Sequence, residues 1–364
     1  MIIVLTAVTV FLVIRFCVTL FNFISKPKLT KTFRRYNELV SILIPARNEG
    51  DNILPLLESI KEQDYDNYEV IILDDGSSDN TFALASAFAK DDKRFRVIAG
   101  EPLPKDWLGK NFACHQLSEQ ASGEFLLFVD ADQKLKKGLI NSSIYRMKVF
   151  RLAVLSLFAD QRMHTLGERL VVPLLNYILL TLLPLRLVSM TKWPAFSAAS
   201  GQFMMFDATI YRRNQWHEEV KKDINEDVEI MKLLKSKGYK GDVLLANGFL
   251  ECRMYTSYFD GLQGLSKNLL VEFGYSVIGL LVYLILIFFG YSILFMLPSY
   301  ELLGVVVFLV VGMRFMVSSM SNQNILLNFL LHPLQMITIV LVSILSIHKY
   351  MTKSIQWKGR KILQ

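Results

Sequence analysis

Two aspartates one residue apart, Asp130 and Asp132, end the apolar run 125–129. Five consecutive apolar residues read as a buried strand. A buried strand that finishes in paired carboxylates carries a desolvation cost of several kcal/mol, to order of magnitude, unless something compensates the charge. A divalent cation bridging phosphate oxygens is the natural compensation. Mg2+ and Mn2+ prefer oxygen ligands, and Mg2+ usually takes one or two carboxylates plus substrate phosphates. Turn chemistry is the ordinary alternative for a bare Asp-x-Asp pair. Two further apolar runs end in polar chemistry: 39–44 runs into Pro45-Ala46-Arg47-Asn48-Glu49, and 69–73 into Asp74-Asp75-Gly76-Ser77. Lys110 stands two residues beyond Leu108 at an expected helix start, where an ammonium can meet a phosphate as a point charge. Asn225-Glu226-Asp227 opens a helix over 228–237 that Gly238 stops. Acids there also suit the positive helix end, the plain alternative to a catalytic role.

The elements that must position these groups follow from periodicity. Residues 38–160 alternate strand and helix, with helices expected from about 52, over 79–89 and over 109–121, and a further strand at 95–98. This alternation implies a parallel αβα sandwich. Ligands of such sheets sit beyond the carboxyl ends of the strands, where the three polar strand ends lie. The 125–129 strand is expected to complete the sheet at its edge. A strand over 152–158 and a return over 197–206 belong to the same domain. Ser200, Gly201 and Gln202 precede an apolar strand, as an acceptor mouth or as a tight turn.

Of the 364 residues, 52% are hydrophobic and only 20% charged, and the mean hydropathy is +0.34. That balance points to a membrane protein with a soluble part. Residues 1–24 are expected to be an uncleaved transmembrane anchor, with Arg15 snorkelling to the interface. The basic cluster from Lys26 to Arg35 places the strand-and-helix domain on the cytoplasmic side of the plasma membrane. The segment 170–190 is apolar but broken by Pro173 and Pro184, and reads as a spanning helix or an interfacial one. Runs at 277–297, 302–318 and 325–347 form a C-terminal transmembrane region, 277–348, followed by a basic tail, 349–364. Three crossings after a cytoplasmic domain would put that tail outside, against its charge. Either 302–318 does not cross, or the count is off by one. The net charge of +7 sits beside apolar runs without a nucleic-acid-binding pattern, so no nucleic-acid partner is expected. Cys17, Cys114 and Cys252 are too scattered for a zinc site or a disulfide framework. Cys114 beside His115 is no nucleophile pair, because adjacent helix residues point apart.

In order, Ile-Pro-Ala-Arg-Asn-Glu at 44–49, Asp-Asp-Gly-Ser at 74–77, Gly-Lys at 109–110, Asp-Ala-Asp at 130–132 and Glu-Asp at 226–227 resemble the membrane-associated glycosyltransferases of family 2. The likeness covers roughly 38–270. Within the family, the 107–115 segment, the apolar C-terminal runs and the 357–360 tail are most similar to bacterial carotenoid (diaponeurosporenoate-type) and hopanoid-type members. The resemblance implies a GT-A fold, a Rossmann-like αβα sandwich, here with N-terminal and C-terminal transmembrane helices. It implies an inverting, metal-dependent hexosyl transfer from a nucleotide-diphosphate sugar, expected to be UDP-glucose, to a hydrophobic membrane acceptor such as a carotenoid or another isoprenoid lipid. By the same resemblance, Asp75 would accept the uracil imino proton, while Pro45, Ala46 and Glu49 wall the uridine. Lys110 would meet the diphosphate, Asp132 would hold Mg2+ or Mn2+, and Asp130 would bind ribose or metal-bound water. Asp227 would be the base, with Glu226 its neighbour at the acceptor. Processive members carry Gln-x-x-Arg-Trp after the base. Gln263-Gly-Leu-Ser-Lys267-Asn268 stands in that region without Arg or Trp, which argues for single transfer. Two rivals stand beside this reading. One is transfer to a polyprenyl phosphate, with Arg212, Arg213 and Lys221 as available cations. The other is a non-catalytic membrane protein that only binds sugar nucleotides.

Overall fold

The computed structural model describes residues 2–295, 300–354, 356–357 and 360–361. The chain divides into two compact units: residues 27–162 with 185–253, and residues 1–26 with 163–184 and 254–364.

The first of these is built on a seven-stranded sheet. In chain order its strands are β1 (Val40–Ala46), β2 (Tyr68–Asp74), β3 (Phe95–Ala99) and β4 (Phe125–Val129). A three-stranded sheet interleaves with it through β5 (Gln133–Leu135). The chain then adds β6 (Val154–Phe158), β7 (Asp160–Gln161), β8 (Phe203–Asp207), β9 (Gly241–Leu245) and β10 (Leu250–Cys252). The large sheet has the order β3-β2-β1-β4-β8-β6-β9, and the small one β5-β10-β7. β1, β2, β3 and β4 run parallel through helical crossovers, among them Ile53–Lys61, Thr81–Ala89 and Gly109–Glu119. β8 is antiparallel to both its neighbours. The sheet is therefore mixed, and β4 sits at its centre instead of closing its edge. The reason is visible in β4 itself: all five residues are buried, as a continuous apolar run between two helical layers requires.

The second unit is helical. Thr6–Ser25, Tyr300–Met320 and His332–Met351 are long and apolar enough to cross a membrane, and Tyr258–Glu272 with Val277–Phe288 forms a further pair bent by 108°. The apolar 170–190 stretch is cut into helices Leu166–Val171 and Pro173–Leu182 of this unit and Arg186–Met190 of the sheet unit, each too short to span. Pro173 opens the second of them. Arg15 does not snorkel. It is buried, bonds Thr181 Oγ1 at 3.0 Å, and lies 5.0 Å from the centre of the Tyr177 ring. Arg314 covers that same ring at 4.0 Å and bonds His332 Nδ1 at 2.7 Å. Both guanidinium groups thus find partners within the protein, which substitutes for interfacial water. Residues 296 and 297 of the expected 277–297 run, and Lys358 of the basic tail, lie outside the described residues.

Candidate active site

β1 pairs in parallel with both β2 and β4, so their three polar ends open on one rim. Two loops there are laced together. The Asp75 amide donates to the Ala46 carbonyl at 2.8 Å. The Asn48 and Glu49 amides donate to Ser77 Oγ at 2.9 Å and Thr81 Oγ1 at 2.8 Å. Arg47 Nη1 donates to the carbonyls of Asp75 and Gly76. Gly76 takes a φ of +67°, and Asn48 one of 52°, the left-handed region that glycine and asparagine tolerate best. Pro45, Ala46 and Glu49 therefore border the Asp74-Asp75 turn. Asp74 Oδ2 accepts the Ser77 amide at 3.1 Å and shapes that turn. Its Oδ1 is buried without a hydrogen-bond partner among the described residues.

β8 brings the next group in. Its antiparallel register sets Val129 opposite Phe203, and the Asp130 amide donates to the Gln202 carbonyl at 3.3 Å. Ser200, Gly201 and Gln202 thereby reach the end of β4. Lys110, at the start of the Gly109–Glu119 helix, lies between two carboxylates: its Nζ is 2.9 Å from Asp130 Oδ1 and 3.1 Å from Glu226 Oε1. Burial would lower the ammonium's pKa, but Asp130 and Glu226 more than offset it and hold it well above its ordinary value. Asp227 Oδ2 accepts the Gly201 amide at 2.7 Å, and its Oδ1 accepts the Val228 amide at 2.8 Å. These two donors fix its orientation. Gly201 packs so closely that a Cβ there would lie 2.8 Å from Lys110 Nζ and 3.2 Å from Glu226 Oε1.

Asp132 is set apart from that ion cluster. Its Oδ1 accepts from Gln133 Nε2 at 2.6 Å and its Oδ2 from Cys252 Sγ at 3.4 Å. Burial, then repulsion from Asp130, raises its carboxyl to about 6. The donor set suits a hard cation. Two carboxylates one residue apart, one of them costly to ionise where it stands, are what a divalent ion shared with substrate phosphates would relieve. Among the described residues no three His, Cys, Asp or Glu side chains form a cage, so Asp132 and Asp130 fit a cation completed by phosphate oxygens and water. Cys252 joins the site without any sequence motif to mark it, and so meets Gln202, which the sequence marks with Ser200 and Gly201 as an acceptor mouth or a tight turn. β10 pairs antiparallel with β5 and sets Cys252 opposite Gln133, and Gln202 Nε2 lies 3.4 Å from Cys252 Sγ. No local pattern announces that register.

Neither Cys114 nor its neighbour His115 offers a nucleophile, although Cys114 lies one helical turn from Lys110 and feels its charge. Cys114 is buried and its thiol is pushed up by burial, while His115 packs on Trp107 with centroids 5.0 Å apart. His217 bonds the Tyr211 hydroxyl at 2.6 Å in the core.

Residues 41–206 match the family model described as Glycosyl transferase family 2. Over 106 residues the chain is 34% identical to glycosyltransferase GlyG of Streptococcus pneumoniae, a match covering 29% of this chain and 34% of the relative. Over 239 residues it is 25% identical to the 4,4'-diaponeurosporenoate glycosyltransferase of Staphylococcus haemolyticus, covering 64% of this chain and 61% of the relative. The matches thus span from about a third to under two thirds of these relatives' lengths. Among solved structures, the mannosyltransferase PcManGT from Pyrobaculum calidifontis in complex with GDP-Man and Mn2+ has a TM-score of 0.56 at 14% identity, covering 95% of this chain and 97% of that one. This likeness shows the fold: a mixed α/β, Rossmann-like GT-A sheet, with helices apolar enough to span a membrane toward both ends of the chain.

Proposed function

We propose that this chain, which carries a family 2 glycosyltransferase domain over residues 41–206, moves a hexosyl group from a nucleotide-diphosphate sugar, UDP-glucose in the first instance, to a hydrophobic membrane acceptor such as a carotenoid or another isoprenoid lipid. The observation that carries this reading is the ion cluster at the strand-end rim, in which Lys110 stands between Asp130 and Glu226 beside the Gly201–Asp227 contact. The relative named for diaponeurosporenoate and the fold neighbour holding GDP-Man and Mn2+ support the acceptor class, the donor class and divalent-metal use.

In this reading Pro45, Ala46, Glu49 and Asp75 hold the nucleoside, with Asp75 accepting the uracil imino proton. Lys110 supplies a point charge for the diphosphate. Asp132, with Asp130 beside it, holds Mg2+ or Mn2+, which when bound neutralises charge on the departing diphosphate. The acceptor oxygen attacks the anomeric carbon from the face opposite the diphosphate. The new C–O bond forms as the old one breaks, the leaving nucleotide takes the electron pair, and configuration inverts. Asp227 accepts the proton of a hydroxyl acceptor. A carboxylate acceptor arrives ionised near neutral pH, and Asp227 then orients it, a role its two amide donors suit. The domain faces the cytoplasm in a multi-pass plasma-membrane protein, as the basic residues after the first helix favour.

Transfer to a polyprenyl phosphate has weaker support. Arg212 is engaged by the carbonyls of Ala121 and Gly123 and Lys221 by Asp106 at 2.6 Å, so two of the cations it would recruit are already occupied. The test is incubation of the full chain in detergent with labelled nucleotide sugars and either carotenoid or polyprenyl-phosphate acceptor. Diphosphate release and a glycosylated lipid on thin-layer plates are expected with the former. Donor binding without any diphosphate release would overturn the enzymatic reading.

A further inference from the structure

The opposite rim of the same sheet carries a second concentration of charge. β6 and β9 run in the direction of β4, and their paired first residues are Val154 and Gly241. Around these amino-terminal ends lies a cleft of about 630 Å³, within the size range of small-ligand sites. Arg146, Arg186, Lys192, Lys235 and Lys240 line it, and no carboxylate is among the lining residues described. Asp242 is fully buried and paired with the lining Arg146 at 2.6 Å. Five cationic residues thus line one cleft.

The cations are held in place. The Phe150 ring has the Arg146 guanidinium 3.6 Å from its centre and the Lys240 ammonium 5.6 Å away, which fixes both side chains. Lys235 Nζ donates to the Phe196 carbonyl at 2.6 Å, and its burial lowers the ammonium to about 8. Burial, then the neighbouring Arg146, lowers Arg186 as well. Confined like charges of this kind are relieved by an anion. Met190 and Trp193 flank Lys192 and are 72% and 69% exposed, two large apolar side chains around a cation.

We propose that this cleft is a second binding site, remote from the donor rim, that takes a phosphate-bearing anion. Guanidinium forks and ammonium point charges are the groups that recognise phosphate, and the volume accommodates more than one phosphate. The phosphate can sit on an anionic lipid headgroup or on a free phosphorylated solute.

The full chain in detergent, at low salt with EDTA, is titrated with inorganic pyrophosphate by calorimetry. The same preparation is then exposed to phosphatidylglycerol or phosphatidylcholine and read by native mass spectrometry. The double variant Arg186→Gln/Lys240→Gln should weaken pyrophosphate binding by about tenfold or more, and should do so equally in a Lys110→Gln background, in which the donor rim has lost its own cation for a diphosphate. Phosphatidylglycerol adducts that exceed phosphatidylcholine adducts and vanish in the double variant identify a lipid headgroup. Pyrophosphate binding without that lipid preference identifies a free solute. Lys192→Gln, on an exposed irregular segment, repeats the test if the double variant unfolds. Binding that survives in the cleft variants, or that is lost only in Lys110→Gln, overturns the proposal.

Discussion

At the residue scale the decisive groups are Asp132 and Gly201. If Asp132 holds the cation, Asp132→Asn should lower turnover by about 100-fold or more, the usual cost of removing one electrostatic support for a leaving group. Titration with nucleotide sugar, with and without Mn2+, should show the metal-dependent part of binding gone. Turnover equal to the parent's would remove Asp132 from the site. The raised carboxyl adds a pH signature. Asp132 ionises near 6 in the fold against 3.8 ordinarily. Between those values the folded chain keeps a proton that the unfolded chain has released. Its contribution to stability is therefore full below about 4 and is lost as pH rises through about 6. A cation needs the ionised form, so Mn2+ should raise the thermal midpoint clearly at about pH 7.5 and little at about pH 5. The Asn variant should show no such difference. Gly201→Ala addresses the neighbouring cluster. Its Cβ would meet the flexible end of Lys110 at 2.8 Å, so the fold can yield while the charge is displaced. Turnover should fall by about 10- to 100-fold with the thermal midpoint little changed, and a parallel loss of both would point to misfolding instead.

At the scale of elements, the seam between the start of β1 and the entry to β4 ties the central strands together at the amino-terminal edge of the sheet, away from the donor rim. A Cβ on Gly123 would lie 2.7 Å from the Ser41 amide nitrogen and 2.8 Å from the Leu39 carbonyl oxygen, both backbone atoms that cannot swing aside. Gly123→Ala should therefore destabilise by about 1–3 kcal/mol, seen as a lower melting temperature of the purified chain. The strands that end in polar motifs were legible because burial writes itself as continuous apolar runs and the turns as Asp, Asn and Gly. Lys110 at a helix start and Glu226 at another were legible for the same local reasons. What escaped was long-range order. The central place of β4 depends on β8 inserting antiparallel beside it after a helical excursion, and β9 has no flanking motif. Cys252 reaches Asp132 only through the β5–β10 register, and pairing register across more than a hundred residues leaves no local trace. Arg15 departs from expectation for a related reason: a lone arginine in an apolar helix suggests water at the interface until Thr181 and Tyr177, far along the chain, supply its partners.

At the scale of the whole molecule, the helical unit offers a resolution of the topology conflict. Tyr258–Glu272 stands at 108° to Val277–Phe288. If the latter crosses the bilayer, the former lies near its plane, and its charged Asp260, Lys267 and Glu272 suit that position. His332–Met351 packs along this same helix: Tyr258 Oη and Thr338 Oγ1 are 3.2 Å apart, Ser346 Oγ accepts the Leu270 amide at 3.1 Å, and Lys349 Nζ donates to Ser266 Oγ at 2.8 Å. A helix bound along an in-plane neighbour shares its orientation, so His332–Met351, though long enough to span, is expected to lie in the interface. Ile2–Ser25, Val277–Phe295 and Tyr300–Met320 then make the crossings. Two of these come after the sheet domain, so in this arrangement the basic tail would return to that domain's side of the membrane, in keeping with its charge if that side is the cytoplasmic one. Single cysteines introduced at Tyr300 and Lys353 in a cysteine-free background test this arrangement. A membrane-impermeant thiol reagent applied to intact cells should label the Tyr300→Cys chain, and should label Lys353→Cys only after permeabilisation. Labelling of Lys353→Cys from outside would show that His332–Met351 crosses, and would place the tail beyond the membrane.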